Sequence, residues 1–202
     1  MEISERILSS AEELFFRYGV KSVTMDEIAR ELGISKKTIY QHFPDKDELV
    51  FQVVEKRMVK NRTDMICSVG TGRNMVERVV LMNEVMRQML SVVNPGILFE
   101  IKKYYPRAWQ VFQKHMQEHV LIDTVADLRQ GISDGLFRSE MNVDVMARLR
   151  LKEIEFGFDN QWFPPNEYSL AQVQYEFMDH FLRGILTDEG LSVYQKHFPT
   201  SR

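Results

Sequence analysis

The chain has 202 residues, of which 44% are hydrophobic and 27% charged, and its formal net charge is −3. That composition suits a globular protein with a buried core, and the scarce, scattered Gly and Pro residues favour long helices over an all-β fold. No apolar run approaches about 18 residues, which argues against a membrane span, and the charged N-terminus lacks a signal-peptide core. We therefore expect a cytoplasmic protein, and its single cysteine, Cys67, fits reducing conditions.

The charge is unevenly distributed along the chain. An overall negative charge argues mildly against a nucleic-acid partner. Residues 35–62, however, hold seven Lys/Arg and only four Asp/Glu. Local potential matters more than the total for binding a charged partner. The sequence therefore keeps nucleic acid open as a partner and points to this segment.

Three helices are predicted before residue 45. Apolar residues at helical spacing predict a first helix that ends at Gly19, because glycine best tolerates the left-handed conformation of a C-cap. Thr24 with Glu27 three residues later is a capping box for a short second helix, which ends at Gly33. Ser35 caps the third helix, and the turn between the last two is very short. This arrangement is the helix-turn-helix pattern.

The third helix carries one apolar anchor, Ile39, among small polar and cationic residues. A helix of this kind fits the major groove of duplex DNA, where such groups reach phosphates and base edges. Thr24 and Lys46 begin the neighbouring helices and are placed to hold the DNA backbone on either side. The candidate DNA-binding residues are Thr24, Ser35, Lys36, Lys37, Thr38, Tyr40, Gln41, His42 and Lys46.

The strings TMDEIA, LGIS, TIYQHF and KDEL, which lie between Thr24 and Leu49, resemble the signature of the tetracycline-repressor-type (TetR) family of transcription regulators. The resemblance implies that Tyr40, His42 and Lys46 contact phosphate. It makes Lys36, Lys37, Thr38 and Gln41 the candidates for reading bases. Lys37 departs from the family pattern, which often has Gly or Ala there, and this change either adds a contact or shifts the helix.

The resemblance also implies an all-α fold of about nine helices, with an N-terminal three-helix DNA-binding domain and a larger C-terminal ligand-binding and dimerisation domain. We expect these domains to span residues 1–48 and 49–202. The implied function is a non-enzymatic regulator without cofactor, a repressor that a small, largely apolar ligand releases from a palindromic operator. The remaining helices have the apolar spacing that this plan requires.

The expected C-terminal domain, which we call the body, has two surfaces that are candidates for binding partners. TetR-like proteins form homodimers through their last two long helices, and the predicted eighth and ninth helices carry Leu149, Phe156, Val173, Phe177 and Phe181. Methionine and aromatic residues on the other helices would line a deformable apolar ligand pocket. The candidate ligand-binding residues are Met82, Met86, Trp109, Phe112, Met116 and Phe156.

Other functions stay open. His115 to His119 reads H-x-x-E-H, a zinc-hydrolase pattern that would place both imidazoles on one α-helical face, although no third ligand stands out. Cys67 has no sequence neighbour that would clearly activate its thiol. A helical adaptor that has lost DNA binding is a third alternative. We expect no metal site.

Overall fold

The computed structural model describes residues 2–69 and 73–197, and the side chains of residues 2–64 and 73–196. Across this part of the chain the regular structure is helical, with one isolated antiparallel bridge between Phe137 and Leu186. The predicted all-α fold is confirmed. The elements are α1 (Ile3–Tyr18), α2 (Met25–Leu32), α3 (Lys36–His42), α4 (Lys46–Val69), α5 (Met75–Leu90), α6 (Ile97–Tyr104), α7 (Pro106–His115), a π-helical segment (Met116–Val120), α8 (Leu121–Ser133), α9 (Val143–Phe156), α10 (Leu170–Ile185) and α11 (Asp188–His197).

Local capping chemistry sets the ends of the first three helices. Gly33 ends α2 in the predicted left-handed conformation, with φ +64° and ψ +31°. Gly19 ends α1 differently, with φ +88° and ψ +151°, a conformation open essentially to glycine alone. A Cβ at residue 19 would also stand 3.2 Å from the Glu100 carboxylate, so close packing adds to the backbone conformation in favouring glycine here.

One compact unit holds the chain up to Arg62 together with Val92–His115. Its core joins α1 to α4 with α6 and the first turn of α7, and Ile39 of α3 is fully buried in it. Burying such a side chain contributes about 1.5–3 kcal/mol, so this residue fixes α3 on the core. The other hydrophobic residues of this unit that are 1% exposed or less are Ile7, Ala11, Phe15, Val20, Ile28, Leu49, Val50, Val53 and Ala108.

A second compact unit holds Thr63–Ser91 and the chain from Met116 onward. Its core is built from α5, α8, α9, α10 and α11, and the fully buried Tyr194 anchors α11. The predicted boundary after residue 48 separates a DNA-binding module from the rest of the chain, whereas the two units are defined by compactness. That boundary therefore stays a prediction. No helix in the described segments is both long and apolar enough to cross a membrane.

The body differs from the expected arrangement in two places. Apolar spacing predicts one seventh helix that begins at Pro106, but the structure has α7, the π-helical segment and α8 there, because this spacing does not distinguish an α turn from a π turn. The same spacing predicts an inward stripe on α5 that includes Met75, Met82 and Met86. Met75 is buried, but Met82 and Met86 are half-buried, and Val76, Val80 and Asn83 are buried instead. Apolar residues occupy two faces of this helix, so the pattern did not determine which one is inside.

Candidate nucleic-acid interface

The polar residues of α3 lie around its exposed surface. At 100° per residue, Lys37 and Gln41 project away from the side that holds Ile39 and Phe43. Both Lys37 and Gln41 are exposed, and Ile39 and Phe43 are buried. The other candidates flank them: Lys36, Tyr40 and His42 are exposed, and Thr38 is half-buried. The outer surface of α3 is therefore a cationic and polar ridge that is accessible to solvent.

Ser35 and Thr38 organise the start of α3. The Ser35 hydroxyl accepts the Thr38 backbone N–H at 3.1 Å, and the two side-chain hydroxyls lie 2.8 Å apart. The predicted N-cap is therefore present. Ser35 is exposed at this corner, so its hydroxyl caps the helix while remaining accessible to solvent.

Thr24 forms the predicted capping box. Its hydroxyl accepts the Glu27 backbone N–H at 3.2 Å, and the Glu27 carboxylate accepts the Thr24 backbone N–H at 2.7 Å. That backbone hydrogen bond, together with one from the Thr24 hydroxyl, lowers the pKa of Glu27. The box holds the exposed Thr24 side chain at the first turn of α2.

Lys36 is partly engaged within the helix-turn-helix. Its ammonium group lies 2.7 Å from the Asp26 carboxylate on α2 and 5.9 Å from the centre of the Tyr40 ring. The hydrogen bond to Asp26 raises the pKa of Lys36. Both side chains are more than half exposed. Asp26 therefore partly neutralises the Lys36 ammonium group at this surface.

Lys46 sits deeper than a simple surface cation. Its ammonium group donates to the Val20 carbonyl at 2.6 Å and lies 5.8 Å from the centre of the Phe15 ring. Burial lowers the pKa of Lys46, and the carboxylates of Glu100 and Glu27 oppose that shift. The side chain ties the start of α4 to the loop between α1 and α2, a structural role that the sequence did not reveal.

Residues 94–107 are hydrogen-bonded to α1, to the loop that follows it and to α4 within the same unit. The Glu100 carboxylate accepts the Lys21 backbone N–H at 2.8 Å, and the Asn94 backbone N–H donates to the Phe16 carbonyl at 2.6 Å. Arg107 donates to Glu48 at 2.9 Å at the start of α4. These residues could not be predicted from the sequence, because no local pattern marks a hydrogen bond between distant segments.

The candidate ligand residues fall into both units. Trp109 and Phe112 belong to the first, where their rings stack with centroids 5.1 Å apart. Met82, Met86, Met116 and Phe156 belong to the second. Met82 and Met86 lie one turn apart on α5, and Met116 opens the π-helical segment. The second unit also buries Asn83, a polar residue that the apolar stripe did not predict.

Two of the five residues named for dimerisation are internal. Val173 and Phe181 are each only 6% exposed, because they pack inside their own chain. Leu149 and Phe156 on α9 are 46% and 42% exposed, and Val145 on the same face is 58% exposed. Phe156 also stacks on Phe177 of α10, with ring centroids 5.9 Å apart.

The enzyme alternative finds no assembled site in the described residues. They contain no group of three or more His, Cys, Asp or Glu side chains placed to hold a metal ion. His115 is the last residue of α7, and His119 lies in the π-helical segment Met116–Val120. The side chain of Cys67 lies outside the described part of the chain.

Sequence relatives agree with this site. The family of bacterial regulatory proteins described as tetR matches residues 7–53, which include α2 and α3. A helix-turn-helix-type regulator of Bacillus subtilis, YvaF, is 27% identical over 188 residues, which are 93% of this chain and 97% of that protein. The regulator SAB2452 of Staphylococcus aureus is 43% identical over 56 residues, 28% of this chain and 30% of its own.

Solved structures share the fold. A TetR-family regulator from Agrobacterium tumefaciens superposes with a TM-score of 0.74 at 17% identity, covering 91% of this chain and 97% of its own. A transcriptional regulator from Saccharomonospora viridis in complex with choline gives 0.72 at 19% identity, with the same two shares. The spaced motif, the exposed α3 ridge and these relatives agree: residues 7–53 form a DNA-binding helix-turn-helix segment that matches the tetR family of bacterial regulatory proteins, and the whole chain is similar to helix-turn-helix-type transcriptional regulators.

Proposed function

We propose that this regulator is a repressor that binds a palindromic operator as a homodimer and leaves it when a small, largely apolar ligand binds the body. The observation that carries the DNA half of the proposal is the exposed ridge of α3 opposite the buried Ile39. A ridge on a firmly anchored helix can enter the major groove without refolding, so little conformational entropy is lost on binding.

The roles within the ridge follow from direction. Lys37 and Gln41 project furthest from the core and are the proposed base readers, with Lys36 and Thr38 beside them. Tyr40, His42, Thr24, Ser35 and Lys46 surround them and are proposed to contact phosphate or to hold the edge that does. Phosphate contacts supply affinity, and base contacts supply the choice of sequence.

The homodimer is proposed to form through α9 and α10. Val145, Leu149 and Phe156 form an exposed apolar stripe on α9, which a second copy would remove from water. A two-fold axis through this stripe makes the interface self-complementary. It would present two recognition helices to half-sites about 34–36 Å apart.

For the ligand, we propose that Met82, Met86 and Met116 of the second unit form contacts, with Phe156 at an exposed edge. Trp109 and Phe112 of the first unit remain further candidates. Methionine side chains adapt to ligands of varied shape. Release then requires that the ligand bind the DNA-incompetent state more tightly than the competent one.

The decisive experiment is binding of the purified protein to the DNA just upstream of its own gene, measured by fluorescence anisotropy at several salt concentrations. We expect salt-dependent binding that Lys37→Ala with Gln41→Ala weakens, while Lys196→Ala, an exposed change in the second unit, leaves it intact. Binding that no salt concentration changes, or an α3 variant that binds like wild type, would count against the proposal.

A further inference from the structure

An exposed cluster of cations and aromatic rings lies beside the helix-turn-helix in the first unit. It combines the end of α1, the loop that follows it, and α6. We call it the flank patch, and its members are Arg17, Tyr18, Lys21, Phe99, Lys103 and Tyr104. The helix-turn-helix motif includes none of them, and the function proposed above assigns none of them a role.

The cations of the flank patch converge on aromatic faces rather than on carboxylates. The ammonium groups of Lys21 and Lys103 lie 5.6 Å and 5.3 Å from the centre of the same Tyr104 ring. Lys103 is also 5.4 Å from the Phe99 ring, and the Arg17 guanidinium is 5.3 Å from the Tyr18 ring. No salt bridge to these three cations occurs among the described residues. The patch therefore concentrates positive charge that an external anion can neutralise.

The exposure of the rings adds a second feature. Tyr18 is 52% exposed, Phe99 50% and Tyr104 43%. Tyrosine hydroxyls donate hydrogen bonds to phosphate oxygens, and exposed rings pack against sugars. Glu100, the neighbouring carboxylate, already accepts the Lys21 backbone N–H. This bond holds the loop against α6 and keeps Lys21 beside Tyr104.

The flank patch is continuous with the proposed phosphate-binding edge. Lys21 follows Val20, whose carbonyl accepts the Lys46 ammonium group. Lys21 and Thr24 are three positions apart in the chain, so their Cα atoms lie at most about 11 Å from each other. A duplex held by Thr24 and α3 therefore runs close to Lys21.

We propose that the flank patch binds backbone phosphates of duplex DNA outside the segment read by α3, and so extends the footprint without reading sequence. This inference rests on the proposed DNA binding through α3. Its partner is a double strand, because a regular double row of phosphates matches cations spread over two helices and a loop. The chain's overall charge of −3 makes such a local concentration necessary for non-specific affinity.

The test compares two triple variants with equal loss of charge. One changes the flank patch, Arg17→Ala, Lys21→Ala and Lys103→Ala. The control changes exposed cations of the second unit, Arg129→Ala, Arg148→Ala and Lys196→Ala. Each binds a fluorescein-labelled random-sequence duplex, and separately a random single strand, over a series of KCl concentrations. Thermal unfolding verifies that both variants are folded.

We expect the flank-patch variant to bind duplex about tenfold or more weakly, with a salt slope shallower by about 2–3, whereas the control matches wild type. A variant with Lys21→Arg and Lys103→Arg, which keeps both charges, should have the wild-type salt slope. Equal slopes in the flank-patch variant, the control and wild type would overturn the proposal, as would a loss confined to the single strand. If Lys37→Ala with Gln41→Ala bound the DNA just upstream of the gene like wild type, the proposed function would fail instead.

Discussion

At the scale of single residues, the two lysines of α3 differ in whether a carboxylate of the same surface pairs with them. Lys37 faces away from the core, whereas Lys36 is held by Asp26. A carboxylate on this surface opposes phosphate and also competes for the cation. The local charge of this surface is therefore set by Asp26 as much as by the two lysines.

Asp26→Asn should strengthen DNA binding. The change removes a negative charge from the DNA-facing surface and frees the Lys36 ammonium group, so the salt slope should become steeper by about one and affinity should rise at low salt. Glu31→Gln is the matched control, because Glu31 is an exposed carboxylate on the same helix. Anisotropy titrations against KCl measure both variants, and an unchanged slope for Asp26→Asn would contradict the expectation.

Thr24 is expected to have two separable roles. Thr24→Ala removes the N-cap of α2 and should lower the free energy of unfolding by about 1 kcal/mol. It should also weaken operator binding, because the hydroxyl is a proposed phosphate contact. Thr24→Ser keeps the hydroxyl and should preserve both properties. Urea unfolding and DNA titration separate the effects: a loss of stability without a loss of affinity would assign Thr24 to capping alone.

At the scale of elements, a hydrogen bond between Tyr194 and Asp179 joins α11 to α10. The hydroxyl of the fully buried Tyr194 donates to the Asp179 carboxylate at 2.5 Å, and Arg183 donates to that carboxylate at 2.8 Å. Burial opposes ionisation of Asp179, but these two hydrogen bonds outweigh it and lower its pKa. Burial, together with the hydrogen bond to Asp179, raises the pKa of Tyr194. At neutral pH the pair is an ionised acceptor with a protonated donor.

Tyr194→Phe should therefore destabilise the protein by about 1.5 kcal/mol at neutral pH, the usual range for a hydrogen bond to a charged group. Because the folded-state pKa of Asp179 is lowered, its contribution is complete above its unfolded value of about 3.9 and disappears as the pH falls through the folded value. The difference between variant and wild type should shrink in the same interval. Urea unfolding at neutral and acidic pH measures it, and Asp179→Asn completes a double-mutant cycle. A difference that does not change with pH would remove Asp179 from the explanation.

The elements that could be predicted from the sequence are those whose ends are fixed locally. Thr24 with Glu27, and Ser35 with Thr38, form caps within four residues, and the structure contains both. The bonds from Glu100 to Lys21 and from Arg107 to Glu48 join residues 79 and 59 positions apart, and no periodicity encodes them. For the same reason Asn83 was missed, since burial of a polar residue depends on which face of α5 is covered.

At the scale of the whole molecule, the proposed assembly depends on which apolar side chains the single chain leaves uncovered. Val173 and Phe181 are used inside the protomer, so they are not available to a partner. Val145 and Leu149 lie one turn apart on α9 and remain open to solvent. Disrupting them should therefore affect association without disturbing the core.

Val145→Glu with Leu149→Glu should convert the proposed dimer to a folded monomer. Two carboxylates in a self-complementary interface would meet their own copies across the two-fold axis, so desolvation and like-charge repulsion both oppose association. Sedimentation velocity measures the mass, and circular dichroism verifies the fold. Ile122→Glu is the matched control, because Ile122 is 60% exposed on α8, outside the proposed interface.

A monomer engages one half-site, so its affinity for a palindromic duplex should fall by several orders of magnitude toward that for a single half-site, as expected when avidity is lost. A double variant that stays dimeric would place the interface elsewhere, and a monomer that binds the palindrome as tightly as wild type would show that pairing is not needed for operator recognition.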